Sequence, residues 1–375
     1  MSAILTLNAG SSSIKFGVYL VAPEPELLIN GQVENLGPLA RMTLGDDRFD
    51  LGPADHGAAV GAILNRIAPV LDGREVQGVG HRVVHGGKTF GGPVPLSDEV
   101  ITQLTALSPL APLHQPNNLA GIAAAKSAFP NAVQVGCFDT AFHRGHPFVN
   151  DTFGLPRRYY EQGVRRYGFH GLSYDYISGV MEQDHPKLAD GRVIIAHLGN
   201  GASMCAVRDG QSIASTMGFS ALDGLPMGTR CGQLDPGVLL YLMDQGLSSA
   251  EISHMLYRES GLKGLSEISH DMRTLLASDD PRAAEAIDYY VFRIQREIGG
   301  MAAILGGLDA LVFTGGIGEN AAPIRARVLA GMGFLGLELD APANAANATD
   351  ISQGKAQALV IPTDEERVIA RGVAT

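Results

Sequence analysis

Short apolar runs recur along this chain, and many of them close on a glycine-rich turn. Residues 4–7 are too short for a buried helix and read as a strand; Asn8-Ala9-Gly10-Ser11-Ser12-Ser13 follows as a turn, and residues 14–20 read as a second strand. The pair predicts a β-hairpin whose turn is longer than the tightest two-residue type. Residues 20–55 are rich in Gly and Pro and predict short strands. Residues 58–71 carry apolar positions at helical spacing, and residues 76–84 read as a strand opening into His85-Gly86-Gly87. Ser-Asp-Glu at residue 97 predicts a helix start running to 107. Residues 119–129 predict a small-residue helix, and residues 133–138 a strand ending in Asp139-Thr140.

The pattern then repeats. Residues 192–196 form an apolar strand that meets His197-Leu198-Gly199-Asn200-Gly201. Residues 203–208 return as a strand, and Asp209-Gly210 turns into a third at 211–216. Residues 310–314, followed by Gly315-Gly316-Ile317-Gly318-Glu319-Asn320, are a later echo. Residues 235–244 and 281–305 predict helices. Residues 339–357 are polar and Ala/Asn-rich and predict a surface loop. Residues 358–361 predict a last strand, and Thr363-x-x-Glu366 a capping box opening a final helix. Strand–turn–strand thus occurs twice with helices between, which predicts two related α/β lobes with a cleft between them. The expected division is residues 1–145, completed by 359–375, and residues 146–358.

Composition narrows the function. At 375 residues the length suggests two domains. Acidic residues outnumber basic ones, 39 to 28, for a net charge of −11, which argues against a nucleic-acid surface. A few local arginines can still reverse the field for a small anion. The three cysteines, Cys137, Cys205 and Cys231, form no C-x-x-C pair, so reduced thiols in a cytoplasmic protein are the expectation. The N-terminal run lacks the basic region of a signal peptide, and no apolar stretch predicts a membrane span.

Three Gly-rich turns each follow an apolar strand, at residues 8–13, 197–201 and 315–320. Glycine lets several backbone N–H groups converge on a phosphate. One such turn is an ordinary tight turn; three of one design favour nucleotide phosphate binding. None is a P-loop or a dinucleotide fingerprint, and protein-kinase motifs are absent. Arg82, in His81-Arg82-Val83-Val84-His85-Gly86-Gly87, and Arg230, in Met227-Gly228-Thr229-Arg230-Cys231-Gly232, sit beside Gly-rich corners and point to an anion clamp. Asp139 closes a strand and reads equally as a Mg²⁺ partner or as a turn carboxylate. His170, in Gly168-Phe169-His170-Gly171, reads as a donor to a phosphoryl group or as a structural histidine. The pairs His81/His85 and His143/His146 lack a third ligand for zinc. Glu365, in a first helical turn, is by itself an ordinary dipole complement.

Together these motifs, with Lys15 after the first turn and Phe138-Asp139-Thr140-Ala141-Phe142-His143, resemble the acetokinase family, a branch of the sugar kinase/Hsp70/actin superfamily. The resemblance spans residue 5 to about residue 371. It implies a two-lobed, duplicated ribonuclease H-like (actin-like ATPase) α/β fold with a central cleft. It also implies reversible, Mg²⁺-dependent transfer of the ATP γ-phosphoryl to acetate, with Mn²⁺ as a substitute for Mg²⁺, by a cytoplasmic homodimer with no nucleic-acid or membrane partner.

The resemblance assigns residues as follows. Asn8 and Glu365 match the metal positions, and Asp139 the acid beside metal and phosphates. Arg82 and Arg230 match the arginines on the carboxylate and the transition state, and His170 the histidine on the transferring phosphoryl. Lys15 and residues His197, Leu198, Gly199, Asn200 and Gly201 match the phosphate side. Asp271, Met272 and Arg273, with Gly316, Ile317, Gly318, Glu319 and Asn320, match the adenosine side. Val84, Leu113, His114 and Phe169 match the acyl pocket. Two positions depart from the family pattern: Ala221 stands where Pro is typical, which keeps propionate open as the acceptor, and Asp364 stands where Asn is typical. A nucleotide-operated switch module without catalysis is the competing class.

Overall fold

The computed structural model describes residues 2–10, 13–112 and 114–375. The chain packs as two units: residues up to Arg144 together with Asp364–Thr375, and Gly145–Thr363.

The first unit is built on one mixed sheet. Its strands are β1 (Ala3–Ala9), β2 (Ser13–Leu20), β3 (Glu26–Glu34), β4 (Gly37–Leu44), β5 (Asp47–Ala54), β6 (Val76–Val83), β7 (Val94–Pro95) and β8 (Val133–Phe138). They lie in the order β5-β4-β3-β2-β1-β6-β8-β7. The expected hairpin is present, with Asn8 opposite Lys15 in antiparallel register. β6 runs parallel to β1, and β8 parallel to β6. Every residue of β1 is buried, including Thr6 and Asn8, which is why the strand is mostly apolar and shows no exposed polar face.

The helix His56–Leu71, capped by Asp55, lays Ala59, Val60, Ile63 and Ile67 into the core. The C-terminal helix Glu365–Ala374 packs on the same sheet. Gly78 and Gly80 of β6 make that approach possible: a Cβ at either would stand 2.4 Å from Val373 or Ile369.

The second unit repeats the plan. β9 (Arg192–Leu198), β10 (Ala202–Arg208), β11 (Gln211–Ser215), β12 (Ala310–Thr314) and β13 (Gln357–Val360) lie in the order β11-β10-β9-β12-β13. The second sheet, and the β3-β2-β1-β6-β8 core of the first, therefore each place three antiparallel strands beside two parallel ones. The helix Pro281–Leu305 covers this sheet; Asp280 caps its start and Gly306, at φ 74°, closes it.

Two expectations are corrected. Residues 339–357 are not simply a surface loop: they hold a short helix, Ala341–Ala345, and Asn344 and Ile351 are buried. Their polarity misled because Asn344 spends it internally, on Arg325. The final helix is capped by Asp364, which accepts from Arg367 N at 3.0 Å, and not by Thr363. The Gly-rich run after β12 opens the helix Gly315–Asn320.

Candidate active site

In the first unit the candidate residues collect at the carboxyl ends of parallel strands, the usual ligand edge of an open α/β sheet. Asn8 lies one residue before the end of β1, Arg82 lies near the end of β6, and Asp139 follows β8. Arg82 meets Asp139 through Nε to Oδ1 at 2.9 Å and Nη2 to Oδ2 at 2.6 Å. Its Nη1 donates to Asn8 Oδ1 at 3.1 Å, and Asn8 Nδ2 in turn donates to Glu365 and Glu366, each at 3.3 Å. Burial opposes the charge of Arg82, but Asp139, Glu365 and Glu366 outweigh it and hold the guanidinium protonated. Burial pushes the Asp139 carboxyl up against the pull of Arg82. Glu366 is also raised, by burial and then by the neighbouring Glu365.

A buried amide holds this edge in shape. Asn118 donates to Ala9 O at 2.6 Å and accepts from Val84 N at 3.0 Å, tying the end of β1 to the end of β6. Gln115 brackets the backbone of His85, and Thr140 accepts from Gly86 N. Val84 is buried beneath this corner. His81 bonds Gln134 and His85 accepts from Gly87 N, so both imidazoles serve local packing. His114 lies at the start of the helix Gln115–Ala128. Lys15 faces Asn8 across the hairpin. Leu113, Ser11 and Ser12 lie outside the described residues.

In the second unit His170 stands before the helix Gly171–Asp184 at φ 57°, a backbone region unusual for any residue but glycine. Its Nδ1 is 2.8 Å from Ser203 Oγ on β10, and its ring stacks on His197 of β9 with centroids 4.4 Å apart. His197 Nδ1 is 2.8 Å from Ser173 Oγ. Phe169, next to His170, is buried. Arg230 donates from Nη1 to Ala221 O at 2.9 Å. A Cβ built on Gly201 would stand 2.8 Å from Arg230 Nη2 and 3.2 Å from His170 Nε2, so two cationic or donor groups reach the same point above the 197–201 turn.

A cavity of about 580 Å³ in this unit is lined by Gly199, Asn200, Asp271, Met272, Arg273, Gly316, Ile317 and Asn320, together with His270 and Leu276. Three segments far apart along the chain, at 199–200, 270–276 and 316–320, thus form one wall, in a volume suited to a nucleotide-sized ligand. Asp271 caps the helix Met272–Leu276 and pairs with Arg273 at 2.6 Å. Leu198 and Gly318 are buried behind the cavity. Glu319 is not in its wall: its carboxylate accepts from Gly315 N at 2.8 Å and Thr363 N at 3.2 Å, holding the turn rather than facing a ligand.

Sequence reasoning missed Ser203, Tyr174 and Asn118, and gave Glu366 only a capping role. A serine in a strand, a tyrosine within a helix and an amide on a small-residue helix carry no motif. Only their partners reveal them.

The five-strand core repeated in the two sheets is that of the ribonuclease H-like, actin-like ATPase fold, and the family and structure matches make the chain a kinase phosphotransferase. The chain belongs to the acetokinase family, which it matches over residues 3–371. It is 55% identical to acetate kinase of Methylocella silvestris, over 98% of this chain and 96% of the relative. Among solved structures, acetate kinase of Porphyromonas gingivalis is 38% identical with a TM-score of 0.89, over 100% of this chain and 99% of that one. A propionate kinase of Francisella tularensis is 36% identical with a TM-score of 0.92, over 99% of each chain.

Proposed function

We propose that this chain reversibly transfers the γ-phosphoryl of ATP to acetate, giving acetyl phosphate and ADP, by direct in-line attack of the carboxylate. The observation that carries the reading is the convergence of Arg230 Nη2 and His170 Nε2 over the Gly201 turn, in the unit that also holds the nucleotide-sized cavity. Those groups suit the equatorial oxygens of a transferring phosphoryl. Gly199 and Asn200 would take the phosphates, and Asp271–Arg273 with Gly316–Asn320 the adenosine. Arg82 would hold the acid: with Nε on Asp139, it keeps further N–H groups on Nη1 and Nη2 for a carboxylate. Val84, Phe169, Leu113 and His114 would form the acyl pocket. A carboxylate is ionised at neutral pH, so no general base is needed, and Asp139 acts by positioning Arg82.

Mg²⁺ fits the first unit's donors. Among the described residues no three His, Cys, Asp or Glu side chains form a closed metal cage. Mg²⁺ seldom uses one, keeping waters and substrate phosphates instead. Asn8 and Glu365 would hold it, with Glu366 and Asp139 behind them; burial and then the neighbouring Glu365 raise Glu366, and a cation there would offset the crowding of the two glutamates. When bound it supplies charge neutralisation of the β- and γ-phosphates. Mn²⁺ would serve in its place. Lys15, facing Asn8, would add to the phosphate side.

We further infer a cytoplasmic homodimer. No helix is long and apolar enough to cross a membrane among the described residues. The helix Pro236–Asp244 buries none of its residues and exposes Leu240, Tyr241 and Met243, an apolar surface that a second copy would cover. Light scattering of the wild type and of Tyr241→Glu tests this; a monomeric wild type would end it. Propionate is the second reading, favoured by Ala221 in place of Pro and by the likeness to a propionate kinase.

The deciding experiment is acyl-hydroxamate formation with Mg-ATP, hydroxylamine and acetate, propionate or butyrate. Product highest with acetate supports the proposal, and product highest with propionate moves the substrate. No product from any acid, despite ATP binding, would leave a switch module.

A further inference from the structure

The turn that carries Arg230 is seated against a corner between two helical segments of the same unit. A π-helical turn, Met255–Glu259, stops at Ser260, whose backbone is extended, and the helix Gly261–Ser266 starts afresh. The π-helical turn is a rare form that recurs at functional sites.

A helix leaves its last carbonyls and its first amides without partners of its own. At this corner the Arg230 turn answers both. Leu256 O accepts from Cys231 N at 3.1 Å, and Tyr257 O accepts from Thr229 Oγ1 at 2.9 Å. The amides run the other way. Ser260 N donates to Thr229 O at 3.1 Å, Leu262 N to Met227 O at 2.8 Å and Lys263 N to Gly228 O at 2.9 Å. Met227 N donates to Arg230 O at 3.0 Å and closes the turn on itself. Every carbonyl from Met227 to Arg230 is thus held.

Gly261 lets the two pieces meet. Its φ is 64°, and a Cβ there would stand 2.1 Å from Met227 O and 2.6 Å from Arg230 O. Gly228 N donates to Asn200 O at 3.1 Å, so the same turn is fastened to the 197–201 turn. From this backbone the Arg230 side chain reaches Ala221 O and the point above Gly201. Most of the anchoring bonds join backbone to backbone, and no substitution removes them singly. The Thr229 hydroxyl is a side-chain anchor next to Arg230 itself.

We propose that Thr229 is a positioning residue: its hydroxyl, bound to the Tyr257 carbonyl at the end of the π-helical turn, locks the turn that aims Arg230 at the transferring phosphoryl. The consequence for catalysis rests on the phosphoryl-transfer reading above; the anchoring does not. Misplacing a guanidinium by a fraction of its reach weakens its bond to the transition state more than it weakens substrate binding.

The test uses the whole protein. Thr229→Val keeps the shape and removes the hydroxyl, and Thr229→Ser keeps the hydroxyl. In Thr229→Val the amides of residues 227–231 should exchange with deuterium about tenfold faster, and kcat should fall about tenfold, the kinetic equivalent of one hydrogen bond, with KM for ATP and the acid within about twofold of wild type. Thr229→Ser should restore both exchange and kcat. In an Arg230→Ala background Thr229→Val should cost nothing further, since no guanidinium is left to aim. A second tenfold loss in that background, or wild-type kcat in Thr229→Val, would overturn the positioning role. If the wild type makes no acyl phosphate, exchange decides alone: faster exchange in Thr229→Val keeps the anchor while the phosphoryl reading falls, and unchanged exchange ends the anchor as well.

Discussion

Arg82 and Asp139 form an asymmetric pair: the carboxylate is 1% exposed and the guanidinium 18%, with 2.6 Å between Nη2 and Oδ2. The carboxylate depends on the arginine more than the reverse, because only Arg82 has an edge left toward solvent and substrate. Arg82→Ala should therefore lose about 3 kcal/mol of stability by stranding Asp139, and should abolish phosphoryl transfer while ATP binding persists. Urea unfolding and calorimetric ATP titration measure the two effects. An equal loss of transfer and ATP affinity would remove Arg82 from the acyl end.

Gly201→Ala separates stability from catalysis. The new methyl would press on the tip of a flexible arginine and on an imidazole, not on backbone. Thermal unfolding should change little, while displacement of Arg230 and His170 should lower kcat about a hundredfold. Unchanged kcat would show that the space above Gly201 is not where the phosphoryl sits.

Tyr290, on the inner face of the helix Pro281–Leu305, is fully buried with no partner for its hydroxyl among the described residues. Tyr290→Phe removes an unsatisfied polar atom and keeps the ring. It should raise stability by about 1 kcal/mol, read as a higher urea midpoint at constant m-value. A loss of similar size would reveal a partner for the hydroxyl.

His81 carries a pH signature. Burial, against the opposing hydrogen bond to Gln134, lowers its pKa from 6.5 to about 4. The native ring thus refuses a proton that the unfolded chain accepts. Between pH 6.5 and about 4 this group removes up to about 1.4 kcal/mol of stability per pH unit; above 6.5 its effect is absent. His81→Asn should flatten the stability–pH curve over that window alone. Superimposable curves would mean that His81 titrates normally in the folded protein.

The two strand–turn–strand signals were legible in the sequence because a buried strand needs a continuous apolar run and a tight turn needs Gly or Asn. They mark the first and second strands of each sheet. The parallel strands β12 and β13 were visible as runs too, but nothing local said that they pair with β9 and with each other. Asp139 stayed ambiguous for the same reason: a carboxylate at a strand end looks alike whether a helix or an arginine 57 residues away answers it.

The sequence by itself determined the elements, the Gly-rich turns, and the residue types that handle phosphate and carboxylate, since backbone freedom and side-chain chemistry are properties of single positions and short spacings. Tertiary structure alone decided that Asn8 joins Arg82 to Glu365 and Glu366, that Glu319 holds a turn instead of lining the cavity, and that Tyr174 and Ser203 stand behind His170. Those outcomes depend on which distant side chains share a buried hydrogen bond, and a buried donor takes the acceptor that folding brings within 3 Å, however far away it lies along the chain.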